Sequence, residues 1–348
     1  MAVTRKIRVL IVDDSPIVRS VLARIVSAES DMEVIGQASD PFDAKRWIME
    51  ESPDVVTLDV EMPRMDGITF LKRIMAYKPL PVIMISSYTQ ESSMRTMEAL
   101  EAGAVDFVPK PTSNLEENLN DLKREITAKI RAAGWARVRP SLTARRMESA
   151  RKAVRMGRIM KIMAIGASTG GTQAIERLLS SMSYRTQGIV IVQHMPPRYT
   201  ASFAQRLDSV LSFPVSEARD RERLGKDKVL IAPGGRHMRV MRDDSGYFVR
   251  LDDGPMVNHQ RPSVDVLFQS VAEAAGRDAV GIVLTGMGED GARGLLAMRH
   301  AGSFTVAQDE ETSVVYGMPR VAAEMGGACK VAGISEIAEI IFAHSTSR

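Results

Sequence analysis

The stretch Ile159-Met160-Lys161-Ile162-Met163-Ala164-Ile165-Gly166-Ala167-Ser168-Thr169-Gly170-Gly171 decides how the second half of the chain is read. An apolar run that stops at Gly-x-Ser-x-Gly and gives way to the helix-compatible Gln173 to Leu179 reads as strand, tight turn and helix, with the serine hydroxyl at the tip of the turn. That is how a serine is presented as a nucleophile. Two other readings stand beside it. A phosphate-cradling loop needs Gly-x-Gly-x-x-Gly or Gly-Lys-Ser/Thr, and neither is there; a plain glycine-rich turn asks for nothing more than these residues.

A serine nucleophile needs a base and an acid, and both occur outward from this turn. The buried-strand pattern Gly188 to Val192 runs into Gln193-His194-Met195-Pro196, so Ser168 and His194 follow consecutive strands joined by one helix. A right-handed crossover makes such strands neighbours and brings the two side chains into reach. The run Ala279 to Leu284 ends in Thr285-Gly286-Met287-Gly288-Glu289-Asp290-Gly291, whose glycines let the backbone turn and present an acid at the same sheet edge. Asp290 is preferred to Glu289 as the group that orients the imidazole, because two flanking glycine turns direct it inward. The order Ser, His, Asp differs from that of α/β-hydrolases, which excludes that family without excluding the mechanism.

The remaining histidines read as structural. His237 lies in a strand-end turn and is a candidate for lining the cleft, His259 precedes a helix start with Ser263 as its cap, and His300 and His344 read as surface helix residues. No close ligand spacing recurs among them, which argues against a metal site there.

The first half alternates short apolar runs with amphipathic stretches: Arg8 to Val12, Met32 to Ala38, Val55 to Leu58, Pro81 to Ile85 and Asp106 to Val108 are each followed by a helical pattern, the last from Leu115 to Ile130. Five such units predict a five-stranded parallel sheet covered on both faces, with ligands at the carboxyl ends of its strands. Asp13 and Asp14 end the first strand, Asp59 the third, Ser86 the fourth, and Lys110-Pro111 closes the fifth. Three carboxylates with one lysine form a hard-oxygen site suited to Mg²⁺ and to a phosphoryl group, with Asp59 able to attack a phosphoryl donor in line. The competing reading is that such acids merely cap the helices that follow.

At 348 residues and 45 % hydrophobic content, the chain is expected to form two domains with their own cores. A single cysteine, Cys329, read as a buried thiol, leaves no disulfide framework and fits a reducing compartment. No apolar stretch has the length of a membrane span, so membrane insertion is not expected and the location is read as cytoplasmic. The net charge of +3 hides an uneven distribution: eleven basic residues fall between Lys129 and Lys161, against Glu148 alone. This connector reads as a linker, a docking segment for an acidic partner, or a nucleic-acid arm. No helix-turn-helix or base-stacking aromatic series follows it, so nucleic acid is the least favoured.

The motifs Val9-Leu10-Ile11-Val12-Asp13-Asp14-Ser15, Asp59-Val60-Glu61-Met62-Pro63-Arg64-Met65-Asp66-Gly67 and Phe107-Val108-Pro109-Lys110-Pro111 make residues 5 to 125 resemble a response-regulator receiver domain. The resemblance implies a flavodoxin-like fold, Asp59 as phospho-acceptor, and Mg²⁺ held by Asp13, Asp14 and Asp59 with the Glu61 carbonyl. It also implies Lys110 on the phosphoryl oxygens, and Ser86 and Phe107 as switch residues. Residues 159 to 345 resemble the catalytic domain of chemotaxis protein-glutamate methylesterases through the serine turn, Gln193-His194-Met195, Arg261-Pro262-Ser263-Val264-Asp265, Leu284 to Gly291 and Tyr316-Gly317-Met318-Pro319. What this implies is a doubly wound α/β domain with a triad of Ser168, His194 and Asp290, and with Thr169 and the Met287 backbone near the oxyanion. The expected activity is hydrolysis of glutamyl methyl esters, and deamidation of glutamines, on chemoreceptors, switched on when a histidine kinase phosphorylates a receiver that otherwise covers the cleft. No cofactor is implied for ester hydrolysis. The expected division is 1–125 receiver, 126–158 basic linker and 159–348 catalytic domain. A receiver-controlled binding protein with an inactive hydrolase-like domain is the other reading.

Overall fold

The computed structural model describes residues 5–87, 89–110, 119–138, 161–182 and 186–346, which fall in two compact units. The first alternates β1 (Ile7–Val12), α1 (Pro16–Ser27), β2 (Met32–Ala38), α2 (Pro41–Glu51), β3 (Val55–Asp59), α3 (Gly67–Tyr77), β4 (Val82–Ser86), α4 (Gln90–Glu101), β5 (Asp106–Pro109) and α5 (Leu119–Gly134). All pairings are parallel, in the order β2-β1-β3-β4-β5. Val9 to Val12 have no exposed surface, as expected of a strand paired on both edges and covered on both faces. Ser15, Asp40, Asp66 and Thr89 cap α1 to α4 through side-chain oxygens. Asp40 and Asp66 are therefore helix caps, whereas Asp13, Asp14 and Asp59 are not the residues that cap α1 and α3.

Residue 125, the expected end of the receiver, falls inside α5. The apolar spacing continues through the buried Ile126, Ile130 and Ala133, and Arg131 binds Asp31 through Nε at 2.7 Å and reaches Glu29 as well. Those bonds hold both carboxyls below their usual range. Pro111, the helix start at Leu115 and the connector arginines from Arg139 to Arg158 lie outside the described residues.

The second unit contains β6 (Ile162–Ala167), α6 (Gly171–Ser181), β7 (Gly188–Gln193), α7 (Tyr199–Val210), β8 (Val215–Glu217), β9 (Val229–Ile231), β10 (His237–Asp243) and β11 (Gly246–Asp252). There follow α8 (Val264–Ala275), β12 (Ala279–Val283), α9 (Ala292–His300), β13 (Phe304–Gln308), α10 (Met318–Glu324), β14 (Lys330–Ala332) and α11 (Ile337–Thr346). Seven of the strands form one parallel sheet in the order β14-β13-β12-β6-β7-β9-β8. β6 lies where the winding reverses, with β7 on one side and β12 on the other, the position at which such sheets open a crevice. The antiparallel β10–β11 hairpin lies outside that sheet. Its inward residues Met238, Val240, Val249 and Leu251 join Leu267 and Val271 of α8 in one core.

Two expectations are corrected here. Cys329 is exposed, because it lies just before the edge strand β14, although its sulfur accepts a hydrogen bond from Thr305 Oγ1 at 3.2 Å. His344 is not a plain surface residue: its ring stacks on Phe304 with centroids 3.9 Å apart.

Candidate active site

Ser168 follows β6, His194 follows β7 and the Asp290 turn follows β12, so three adjacent strands deliver the expected residues to one edge. Ala167 pairs with Gln193, and the His194 amide donates to Ala167 O at 3.1 Å, which sets Ser168 and His194 side by side. Gln193 Nε2 donates to Ser168 O at 2.9 Å, and the Ser168 amide donates to Thr285 O at 3.0 Å. The serine backbone is thus held from both neighbouring strands. Gly170 takes a left-handed φ of 77° to make the turn into α6.

His194 is held by its Nε2, which lies 2.8 Å from Asp290 Oδ2. A carboxylate accepts only, so Nε2 carries a proton, and in the neutral ring Nδ1 is the lone-pair nitrogen. Nδ1 is buried and has no hydrogen-bond partner among the described residues. In the neutral ring it is the nitrogen open to accept a proton. In chymotrypsin-type serine proteases the acid binds Nδ1; here Asp290 lies at Nε2.

Asp290 is 3 % exposed, while Glu289 points into solvent, so the flanking glycines turn the acid inward as expected. Gly288 and Gly291 both have φ near 90°. The Asp290 carboxylate meets the start of α8: its oxygens accept from Ser263 Oγ at 2.7 Å and from the amides of Val264 and Asp265 at 2.7 and 3.3 Å, and Asn258 Nδ2 adds a bond of 3.0 Å. Burial pushes its pKa up, but the bonds from His194, Asn258 and Ser263 outweigh that and hold it below the usual carboxylate range. The positive end of a helix favours the same ionised form.

In the sequence Ser263 reads only as a helix cap, which it also is, and no pattern there marks the side chains of Asn258, Gln193 or Thr285 as site groups. His237, a candidate cleft residue, is 1 % exposed and structural: its Nε2 lies 2.9 Å from Pro255 O and its Nδ1 accepts from the Ser263 amide at 3.2 Å. Thr169 is buried, and its carbonyl accepts from Thr285 Oγ1 at 2.9 Å. Met287 is exposed, and its amide donates to no acceptor among the described residues. A methyl on Gly286 would press into Met318 Sδ and stand 2.7 Å from Ser168 Cβ. Gly286→Ala is therefore expected to displace Ser168 and to cut kcat by about 10²-fold. An unchanged kcat in folded protein would contradict that packing.

In the first unit, Asp13, Asp14 and Asp59 each offer an oxygen within 4.8 Å of the others. Lys110 Nζ donates to Asp59 Oδ2 at 2.7 Å and stands 3.6 Å from Asp13 Oδ2. Asp13 Oδ2 is buried and accepts no hydrogen bond among the described residues, so the pocket holds more negative charge than its own donors satisfy. Burial first, and then the charge of Asp13, push Asp59 up to about 7. Lys110 is raised by the Asp59 bond and charge in spite of its own burial. Such an oxygen set fits a hard divalent cation.

Ser86 is fully buried and faces α4, accepting from Thr96 Oγ1 at 2.7 Å and donating toward Ser92 O at 3.4 Å. Phe107 is buried, with Lys129 Nζ 4.8 Å from its ring centroid. Glu61 accepts from Ser92 Oγ at 2.9 Å through its side chain, and its amide donates to Asp59 Oδ1 at 3.2 Å.

These features define a two-part α/β protein, with an acidic receiver-type pocket in one part and a serine-histidine-acid sheet edge in the other. Residues 163–341 match the family model of the CheB methylesterase, and residues 9–121 that of the response regulator receiver domain. The chain is 48 % identical over 348 residues to the protein-glutamate methylesterase/protein-glutamine glutaminase 1 of Geobacter metallireducens, covering 97 % of this chain and 96 % of that protein. It is 48 % identical over 341 residues to the protein-glutamate methylesterase/protein-glutamine glutaminase of Escherichia coli K12, covering 97 % of each. The crystal structure of the Thermotoga maritima CheB methylesterase catalytic domain matches with a TM-score of 0.51 at 36 % identity, covering 53 % of this chain and 98 % of that one. The chain belongs to the CheB methylesterase family.

Proposed function

We propose that this protein hydrolyses γ-glutamyl methyl esters on chemoreceptors, and deamidates glutamines there, with Ser168 as nucleophile, His194 as base and Asp290 as the acid that orients it. The observation that carries this reading is the His194 ring, bound to Asp290 through Nε2 and left with a bare, buried Nδ1, on the residue whose amide pairs with the carbonyl just before Ser168. Ser168 Oγ attacks the ester carbonyl while Nδ1 takes its proton. The oxyanion is received by the amides of Thr169 and Met287, each worth about 3 kcal/mol in the transition state. The tetrahedral adduct collapses as the imidazolium returns the proton to the departing methoxide, releasing methanol. Water then attacks the acyl-serine with Nδ1 again as base, and glutamate leaves with the serine restored. A glutamine follows the same path with ammonia as the leaving group. Asp290 keeps its charge throughout and stabilises the imidazolium.

The receiver governs this site. Asp59 accepts a phosphoryl group from a histidine kinase, Lys110 contacts its oxygens, and Asp13, Asp14 and Asp59 with the Glu61 carbonyl would hold Mg²⁺, which neutralises charge on the phosphate when bound. Ser86 must leave Thr96 to reach the phosphoryl group, and Phe107 is the aromatic partner of that change. Because Asp59 holds a proton below about 7, Mg²⁺ affinity is expected to fall as the pH is lowered through that value, by up to about ten-fold per unit for one displaced proton. Titration at pH 8 and pH 6 measures this, and a pH-independent affinity would contradict it.

Among the described residues no helix is long and apolar enough to cross a membrane, and the cytoplasm is the proposed location. The proposed division of labour is the receiver, the basic connector as linker, and the catalytic domain. The test is methanol release from methylated receptors of the same cell, before and after adding a phosphodonor with Mg²⁺. Absence of release under both conditions would leave the binding-protein reading.

A further inference from the structure

Asp290 receives five hydrogen bonds, and one of them joins it to a second buried acid. Asn258 Nδ2 donates to Asp290 Oδ1 at 3.0 Å and to Asp265 Oδ2 at 2.9 Å. With a carboxylate on each side, only the amide nitrogen can face them. Asp265 is itself pinned by the Gly294 amide at 2.7 Å. The backbone is shaped for this contact: Val257 and Gln260 exchange amide hydrogen bonds of 3.1 and 2.8 Å around a two-residue turn. Asn258 and His259 at its tip have φ of 52° and 60°. Asparagine tolerates the left-handed region better than nearly any other residue with a side chain, so one residue meets both the turn and the acids.

We propose that Asn258 is a positioning residue for Asp290, tying the acid that holds His194 to Asp265 and thereby setting how much of the Asp290 charge reaches the imidazole. This rests on the hydrolase reading above. The Asp290 oxygens share their charge among Asn258, Ser263 Oγ, the amides of Val264 and Asp265, and His194. Each donor removed leaves more for the imidazole, which then keeps its proton to higher pH. The other titratable groups around this carboxylate are Asp265 from α8, raised chiefly by burial, and His237 from β10, which touches Ser263. Glu289, next in the chain, is exposed.

The test uses the full chain carrying Asn258→Ala or the isosteric Asn258→Asp. Expected for Asn258→Ala are a kcat about ten-fold lower with KM little changed, and an acidic limb of kcat/KM moved up by about half a pH unit. Asn258→Asp moves the limb further in the same direction, because it replaces a donor by an added charge. The His194 imidazole titration, followed by NMR and assigned with His194→Gln, moves likewise. That titration decides the proposal even if methyl esters are not the substrate: a wild-type chain that releases no methanol overturns the hydrolase reading, and an unmoved titration overturns this one. A KM increase at constant kcat would make Asn258 a substrate contact and overturn it too. Should Asn258→Ala not fold, Asn258→Asp alone decides.

Discussion

Ser168→Ala is expected to lower methanol release from methylated receptors by at least about 10⁴-fold, with thermal unfolding unchanged. The size follows from covalent chemistry. On the proposed mechanism, removing Oγ leaves no acyl-serine, and what survives is the oxyanion site acting on water. Stability is spared because Ser168 is only half-buried, and its backbone bonds to Gln193 and Thr285 do not use the hydroxyl. His194→Gln is expected to lose a comparable factor, since residues that act as one unit are not additive. Ester hydrolysis persisting in purified Ser168→Ala protein would remove Ser168 from the mechanism.

Asp59→Asn is expected to abolish activation by a phosphodonor with Mg²⁺, leaving the basal rate in place, because an amide cannot be phosphorylated. Deleting residues 1 to about 150 should instead raise the basal rate, and an unchanged or lower rate would count against occlusion by the receiver. A switch from mostly closed to mostly open requires about 5 kcal/mol of differential stabilisation, and Ser86 and Phe107 are the groups expected to deliver it. The same substitution acts on stability. The folded chain keeps a proton on Asp59 up to about 7, whereas the unfolded chain releases it near 3.8. Between those values the folded state binds more protons, so this group makes the receiver less stable as pH rises, by about 1.4 kcal/mol for each pH unit crossed. Asp59→Asn removes that cost, and its Mg²⁺-free melting temperature should exceed wild type at pH 8 and approach it at pH 4. Equal melting temperatures at pH 8 would refute the buried-charge account.

The five strands of the first sheet and β6, β7 and β12 of the second were legible in the sequence, the fully buried ones as unbroken apolar runs between turn residues, such as Val9 to Val12 or Gly188 to Val192, whereas β8, β13 and β14 were not. Ser168, His194 and Asp290 stand out in the sequence for a related reason: each is a chemistry-bearing residue in the turn that follows such a run. Asn258 was not, because its place depends on a two-residue turn whose strands are single bridges, and on an acid distant in the chain. The β10–β11 hairpin lies outside the sheet and is only half-buried, so its runs are short and mixed. The orientation of Ser86 was equally hidden. Whether a hydroxyl faces a phosphate pocket or Thr96 of a following helix is a rotamer, and rotamers leave no periodicity.

The strand order of the second sheet also fixes when this enzyme comes into being. β6 is made first, but the acid reaches it only when β12 slots in beside it, more than a hundred residues later. The receiver needs nothing beyond α5 to close its own sheet and helices. During synthesis, where domains fold from the N-terminus onward, the regulator is therefore complete before a hydrolytic centre exists to be regulated. On the proposed triad, a ribosome that stalls before Asp290 yields a receiver joined to a half-sheet that lacks the acid.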